Sequence, residues 1–187
     1  MTKPIIVGIS GASGVIYGVR ALELLNDAGV PTHLVVTQSA KRTLHHELDM
    51  KLADIESLAT EVHAIGNIGA SIASGSFATA GMLIAPCSVR TFSEIASGVT
   101  STLLTRAADV VLKERRRLVL MVRETPLHTG HLRSLTNLAD MGAIISPPVP
   151  AFYARPASID DIVTQSVGRA LDLFDLELSA VTRWTGR

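Results

Sequence analysis

Cysteine is all but missing from this chain: Cys87 stands alone among 187 residues. A single thiol excludes an intramolecular disulfide and any zinc site built from several cysteines. Aromatic residues are sparse at 4%, and neither charge is in excess, with 17 basic and 17 acidic side chains. A neutral total argues against a dedicated nucleic-acid binder, which shows a basic surplus. Long hydrophobic runs are also missing. The strongest candidate for insertion, Met82 to Ala85, is strand-sized and far too short to span a membrane. The opening Met1-Thr2-Lys3-Pro4 followed by Ile5-Ile6-Val7 is too short for a signal h-region. A cytoplasmic protein with no membrane span is the expectation.

What the chain does contain is apolar. Hydrophobic residues make up 47% and charged residues 18%, enough for a real core and incompatible with disorder. Mean hydropathy is +0.35, high for a monomer. Two destinations fit that value: subunit contacts, or a parallel sheet buried on both faces.

Short apolar runs alternate with helix-period segments. Strands are expected at residues 4–8, 33–36, 62–65 (weakly), 81–85, 118–122 and 143–145. Helices are expected at 15–28, from a Ser39 cap through His46, at 52–60, 101–114, 131–141 and 158–175. This alternation predicts right-handed βαβ units and a three-layer, doubly wound parallel α/β sheet in one domain, 1–187, with a C-terminal helix and tail. In such sheets ligands bind beyond the carboxyl ends of the strands.

The first such end carries Gly8-Ile9-Ser10-Gly11-Ala12-Ser13-Gly14. Its glycines are three apart, so it is not the dinucleotide fingerprint. Small residues still let backbone N–H groups approach an anion, with Ser10 and Ser13 as hydroxyl donors; a tight turn made only for packing would use the same residues. After the fourth strand, Ser88 and Thr91 can hydrogen-bond a polar ligand, whereas Cys87 behind Pro86 reads as a packed structural thiol. Arg106 and Lys113, seven apart, share one helix face and suit a phosphate or a solvated stripe. Arg115 to Arg117 read as a charged turn. Arg123 and Glu124 follow a strand, where cations can hold an anion and a carboxylate can relay a proton; an ion pair closing the sheet edge is the alternative. His128 and His131 lack a third ligand, so no metal is expected. Tyr153 lies in a loop ordered by Pro147, Pro148 and Pro150. Arg169 alone reads as a surface arginine, and Trp184 as a packing anchor.

Taken together, these blocks resemble the UbiX family of flavin prenyltransferases. The matching pieces are the glycine loop, Ala73-Ser74-Gly75-Ser76-Phe77, Pro86-Cys87-Ser88, Arg106-Ala107-Ala108-Asp109-Val110 with Leu112-Lys113-Glu114-Arg115-Arg116, Arg123-Glu124-Thr125-Pro126-Leu127, and Pro150-Ala151-Phe152-Tyr153. They run in order over nearly the whole chain. The resemblance implies a Rossmann-like or flavodoxin-like flavoprotein fold and a homododecamer with sites at subunit junctions. It implies a metal-independent transferase that joins a dimethylallyl group from dimethylallyl phosphate to N5 and C6 of reduced FMN. The products would be phosphate and prenylated FMN, the latter passed to a UbiD-type decarboxylase in ubiquinone synthesis or aromatic-acid decarboxylation.

Carried over by position, the resemblance assigns FMN binding to Gly11, Ala12, Ser13, Thr37, Ser88, Val89, Arg90, Thr91 and Arg123. It places Lys113, Arg123, Glu124, Tyr153 and Arg169 around the isoprenyl phosphate, with Arg106 alongside and Glu47 near the substrate. Some of these would come from a neighbouring subunit. Glu124, Lys113, Arg106 and Glu47 are the expected catalytic set, and Tyr153, Arg169 and Lys113 the expected substrate contacts. The chain departs from many relatives at Ser101-Thr102, where an acidic residue is usual, and from some at Ile68, where they carry tryptophan. Two other readings share the fold: an FMN-carrying subunit of a decarboxylase, and a flavin-dependent cysteine-type decarboxylase, which would not need Lys113, Glu124, Tyr153 and Arg169 together.

Overall fold

The computed structural model describes residues 2–186. Six strands form one parallel sheet: β1 (Ile5–Ile9), β2 (Thr32–Val36), β3 (Glu61–His63), β4 (Gly81–Cys87), β5 (Arg117–Val122) and β6 (Ile144–Ile145). Their order is β3-β2-β1-β4-β5-β6, and each recorded strand pairing is parallel. The chain therefore winds outward from β1 in one direction and from β4 in the other. The switch between β1 and β4 opens a crevice at their carboxyl ends.

Helices cover both faces. On one, α1 (Val15–Asp27) and α7 (Ile159–Leu171) pack over Ile5, Val7, Ile9 and Leu83. On the other, α4 (Val89–Ala96), α5 (Leu103–Lys113) and α6 (Thr129–Asp140) cover Ile6, Met82, Ile84 and Leu120. Alternate residues of each central strand feed opposite cores, so β1, β2 and β4 are buried throughout. That is where much of the apolar content goes. Helix residues such as Leu22, Phe92 and Val111 fill the rest of the two cores, and a part stays on the surface, with Val149, Phe152, Ile159 and Trp184 each at least 65% exposed.

Several boundaries differ from the sequence expectations, each for a local reason. The helix expected to start at Ser39 is α2 (Gln38–Glu47), capped by Thr37, whose side chain accepts from the Ala40 N–H. The third helix, α3 (Leu52–Glu56), stops four residues early. Thr60 is instead committed to the sheet: it and Thr32 exchange backbone N–H to side-chain Oγ1 bonds at 3.0 and 3.2 Å. α5 is capped by Thr102, not Ser101, in a reciprocal capping box with Thr105. His128 caps α6 and so starts it two residues early, its Nδ1 accepting from Gly130 and His131 N–H. α4 had no expected counterpart beyond a helix entrance at Ser88. The final helix ends at Leu171 and tightens into a 3₁₀ turn, Asp172–Phe174. The expected charged turn is present, with Arg115 in the left-handed region at φ 56°.

Candidate active site

A cavity of about 630 Å³ lies at the carboxyl ends of β1, β2, β4 and β5, within the usual size range for cofactor sites. Its floor is the loop after β1, contributing Gly11, Ala12 and Ser13. A Cβ built on Gly11 would sit 2.2 Å from Ser39 Oγ, so glycine is needed for this loop to lie against α2. Thr37, Gln38, Ser39 and Arg42 form one wall, and Ser88 to Thr91 another. Arg123 and Glu124, just past β5, close the rim. All nine residues assigned to FMN from sequence line this one space, together with Glu124.

Two helix N-termini open onto it. The Thr37 side chain caps Ala40 N–H and the Ser88 side chain caps Thr91 N–H. The first-turn amides of Gln38, Ser39, Val89 and Arg90 therefore lack intrahelical partners and face anion-binding geometry. Arg123 and Arg42 add positive charge, and no ion pair involves either among the described residues. Arg90 is paired with Glu94 at 2.8 Å. The donor set suits the phosphate and polar ring edge of a flavin nucleotide, with Leu104, Ile65 and Val89 as apolar lining.

Some expected donors are already used. The Ser10 hydroxyl is buried, donating to Pro86 C=O and accepting from Ser88 N–H, both at 2.8 Å. It ties the β1 and β4 loops together and does not face the cavity. α1 is closed too: Glu47 Oε2 accepts from Gly14 and Val15 N–H at 2.8 and 3.1 Å. Burial alone would raise the Glu47 pKa. Hydrogen bonds from Ser13, Gly14 and Val15, with the charge of Arg123, outweigh burial and hold it below the ordinary carboxylate value. Glu47 thus anchors the glycine loop and touches the Ser13 side chain, at the edge of the cavity.

The other expected groups do not meet in one protomer. Lys113 sits at the far end of α5, about 12 Å down the helix from Thr105, which lines the cavity. It pairs with Glu114 at 2.5 Å. Arg106 turns aside to Asp109 at 2.9 Å and donates to Ala73 C=O. Tyr153 accepts from Gln165, and Arg169 pairs with Asp172. A crossover helix runs antiparallel to its strands, so its last turn is carried away from their carboxyl ends. A centre using all these groups needs more than one copy of the chain.

The sequence reading missed Arg42, Gln38, Ser39, Glu94, Thr102 and Thr105 in the cavity wall. For Glu94 a signal existed, since it lies one helical turn beyond Arg90. The Ser101 hydroxyl donates to Glu94 Oε2 at 2.8 Å, so a carboxylate still borders the cavity where the chain has serine for the usual acid. Ile68 is exposed and walls nothing within one protomer. Cys87 is fully buried and its thiol pKa is pushed up by that burial, which makes it a packing residue. His128 and His131 stack on each other with ring centroids 3.6 Å apart. At the sheet edge, His33 Nδ1 and His63 Nε2 lie 2.8 Å apart beside Glu61. That is hydrogen-bond contact, closer than the roughly 3.3 Å between two nitrogens on one tetrahedral zinc.

A family model described as Flavoprotein matches residues 1–171. The chain is 58% identical to the flavin prenyltransferase UbiX of Thauera aromatica, over 97% of this chain and 94% of that protein. Its fold superposes on the crystal structure of AnUbiX in complex with FMN and dimethylallyl pyrophosphate with a TM-score of 0.98, at 45% identity and full coverage of both chains. A dodecameric FMN-dependent UbiX-like decarboxylase from Escherichia coli O157:H7 gives a TM-score of 0.95 at 45% identity, covering 98% of this chain and all of that one. The glycine loop, the two open helix N-termini and the Arg123-Glu124 rim are thus set in the fold of known relatives, and the chain belongs to the UbiX family of flavin prenyltransferases.

Proposed function

We propose that this chain is a flavin prenyltransferase that joins a dimethylallyl group from dimethylallyl phosphate to N5 and C6 of reduced FMN, releasing phosphate. The observation that carries the reading is the cavity at the strand ends, where open helix amides and the unpaired Arg123 stand beside Glu124. The bound reduced flavin supplies the nucleophile, so no side-chain nucleophile is required; the buried Cys87 is consistent with that.

In this reading Gly11, Ala12 and Ser13 support the ring, while Thr37, the Ser88–Thr91 turn and Arg123 hold the polar ring edge and phosphate. Lys113, Arg106, Tyr153 and Arg169 hold the prenyl phosphate, where fixed cations stabilise charge growing on the departing group. Glu124 passes a proton to that phosphate. Ser13 and Glu47, hydrogen-bonded to each other beside the glycine loop, would accept the proton that the flavin gives up on alkylation. These roles require Lys113 or the Tyr153–Arg169 pair to reach a cavity from a neighbouring copy. A homododecamer provides that, and the exposed Val149, Phe152 and Ile159 beside Tyr153 support burial of that loop in assembly. Prenylated FMN would pass to a UbiD-type decarboxylase in the cytoplasm.

Anaerobic incubation with reduced FMN and dimethylallyl phosphate, followed by mass analysis of the flavin and phosphate assay, tests this. The expected result is a flavin heavier by one dimethylallyl unit and one phosphate per turnover. Tight FMN binding with neither product would leave a flavin carrier instead.

A further inference from the structure

Residues 181–183 are held against α7 by three unlike contacts on one face of that helix. Gln165, Gly168 and Asp172 are spaced i, i+3 and i+7, so they line up along α7 and its C-cap, Asp172. Gln165 is buried at 5% exposure and forms a two-way pair with the Thr182 backbone. Its Oε1 accepts from Thr182 N–H at 2.9 Å, and its Nε2 donates to Thr182 C=O at 2.8 Å. At Gly168 a Cβ would come within 2.3 Å of Val181 Cγ2, so glycine leaves the slot that Val181 fills. Asp172 receives both terminal nitrogens of Arg183, each at 3.0 Å.

This clasp also reaches two of the groups assigned to the prenyl phosphate, Tyr153 and Arg169. A backbone N–H can only donate, so Thr182 settles which end of the Gln165 amide is oxygen. The amide nitrogen is then left with a second hydrogen, which it donates to Tyr153 Oη at 3.2 Å. A tyrosine hydroxyl that accepts from glutamine keeps its own proton for another acceptor. The Trp184 ring meets Tyr153 edge-on, with centroids 5.9 Å apart at 72°. Arg169 and Arg183 share the Asp172 carboxylate, so Arg183 draws on the same Oδ2 that restrains Arg169.

We propose that the segment Val181–Trp184 is a clasp that positions Tyr153 and Arg169 for the prenyl phosphate, with Gln165 as its central positioning residue. Gln165 aims the Tyr153 proton outward, and Arg183 offsets the hold of Asp172 on Arg169. The inference rests on the reading that Tyr153 and Arg169 meet the phosphate.

The test uses the full assembled protein with Gln165→Met, Tyr153→Phe, the double variant and Arg183→Ala. Prenylation is measured against dimethylallyl phosphate concentration, and FMN affinity by titration. Losing one buried hydrogen bond corresponds to about a 3- to 10-fold change. Gln165→Met should therefore raise KM for dimethylallyl phosphate about 3- to 10-fold while FMN affinity changes less than about twofold. It should add nothing in the Tyr153→Phe background, because the bond it supplies is already gone. Arg183→Ala, a surface change, should raise the same KM about 2- to 5-fold without lowering the melting temperature of the core. If Gln165→Met and Tyr153→Phe are additive, or if FMN affinity falls in parallel with KM, the clasp is structural only and the inference fails. If Tyr153→Phe is itself silent, the assignment of Tyr153 to the phosphate fails instead.

Discussion

The two halves of the proposed reaction are built in different ways. The residues proposed for the flavin converge within one chain: the turns after β1, β2, β4 and β5 line one cavity, and two helix N-termini present backbone amides to it. The prenyl-phosphate side is dispersed over the surface, on the last turn of α5, the 3₁₀ turn Phe152–Ala154 and the C-terminal part of α7. Backbone donors are held by the sheet and lose little freedom when a ligand binds. Long cationic side chains held in exposed ion pairs, such as Lys113 with Glu114 and Arg169 with Asp172, must exchange those partners and lose freedom to hold a ligand. The flavin side should therefore be robust to surface substitution and the phosphate side sensitive to assembly.

The sharpest way to break this contrast is Lys113→Ala or Glu124→Gln. Each should lower prenylation by about 10²–10³-fold with FMN affinity within about twofold for Lys113→Ala, measured by turnover and flavin titration. Equal loss of both would place Lys113 on the flavin side. Arg123→Ala should do the converse, weakening FMN binding by about 10- to 100-fold, as expected for a charged hydrogen-bond donor; unchanged affinity would move the flavin phosphate elsewhere.

Glu47 sharpens the comparison through pH. Its folded pKa lies below the ordinary carboxylate value, so the folded protein binds fewer protons there than the unfolded chain. The stability it contributes is complete above the unfolded carboxylate pKa of about 4.3 and is lost as pH falls through the folded value. Glu47→Gln should flatten that acid limb in melting-temperature profiles, and lower stability near neutral pH by about 1 kcal/mol through the weakened cap. The smallest effect belongs to Cys87→Ala. Prenylation per folded protein should change less than about twofold, and a large loss would give the thiol a chemical role that its burial argues against.

The fold was largely legible beforehand because strand and helix periodicities are local. Each of the six strands and the crossover helices α1, α5 and α6 falls near its expected place. α4 was missed because Val89–Ala96 is short and mostly polar on one face, so its apolar period is brief. In the site, Gly11 to Ser13, Thr37 and Arg123 were legible because each sits at a strand end. Ser10 was misread as a ligand donor, since nothing local reveals that its hydroxyl faces Pro86, 76 residues away. Arg42 and Glu94 were missed for the same reason, as which side of a helix faces a cavity depends on how the helix packs.

By itself the sequence determined the class of fold, the neutral overall charge, the exclusion of an intramolecular disulfide and the set of groups available for the chemistry. These follow from composition and from periods of two and 3.6 residues, which are written along the chain. Only the tertiary structure decided which groups converge. It joined the loops after β1 and β4 through Ser10, turned Glu47 onto the start of α1, and carried Lys113 to the far end of α5. It also laid residues 181–184 along α7 beside Tyr153. Convergence depends on contacts between residues tens of positions apart, and only the packed sheet and its helices set those distances.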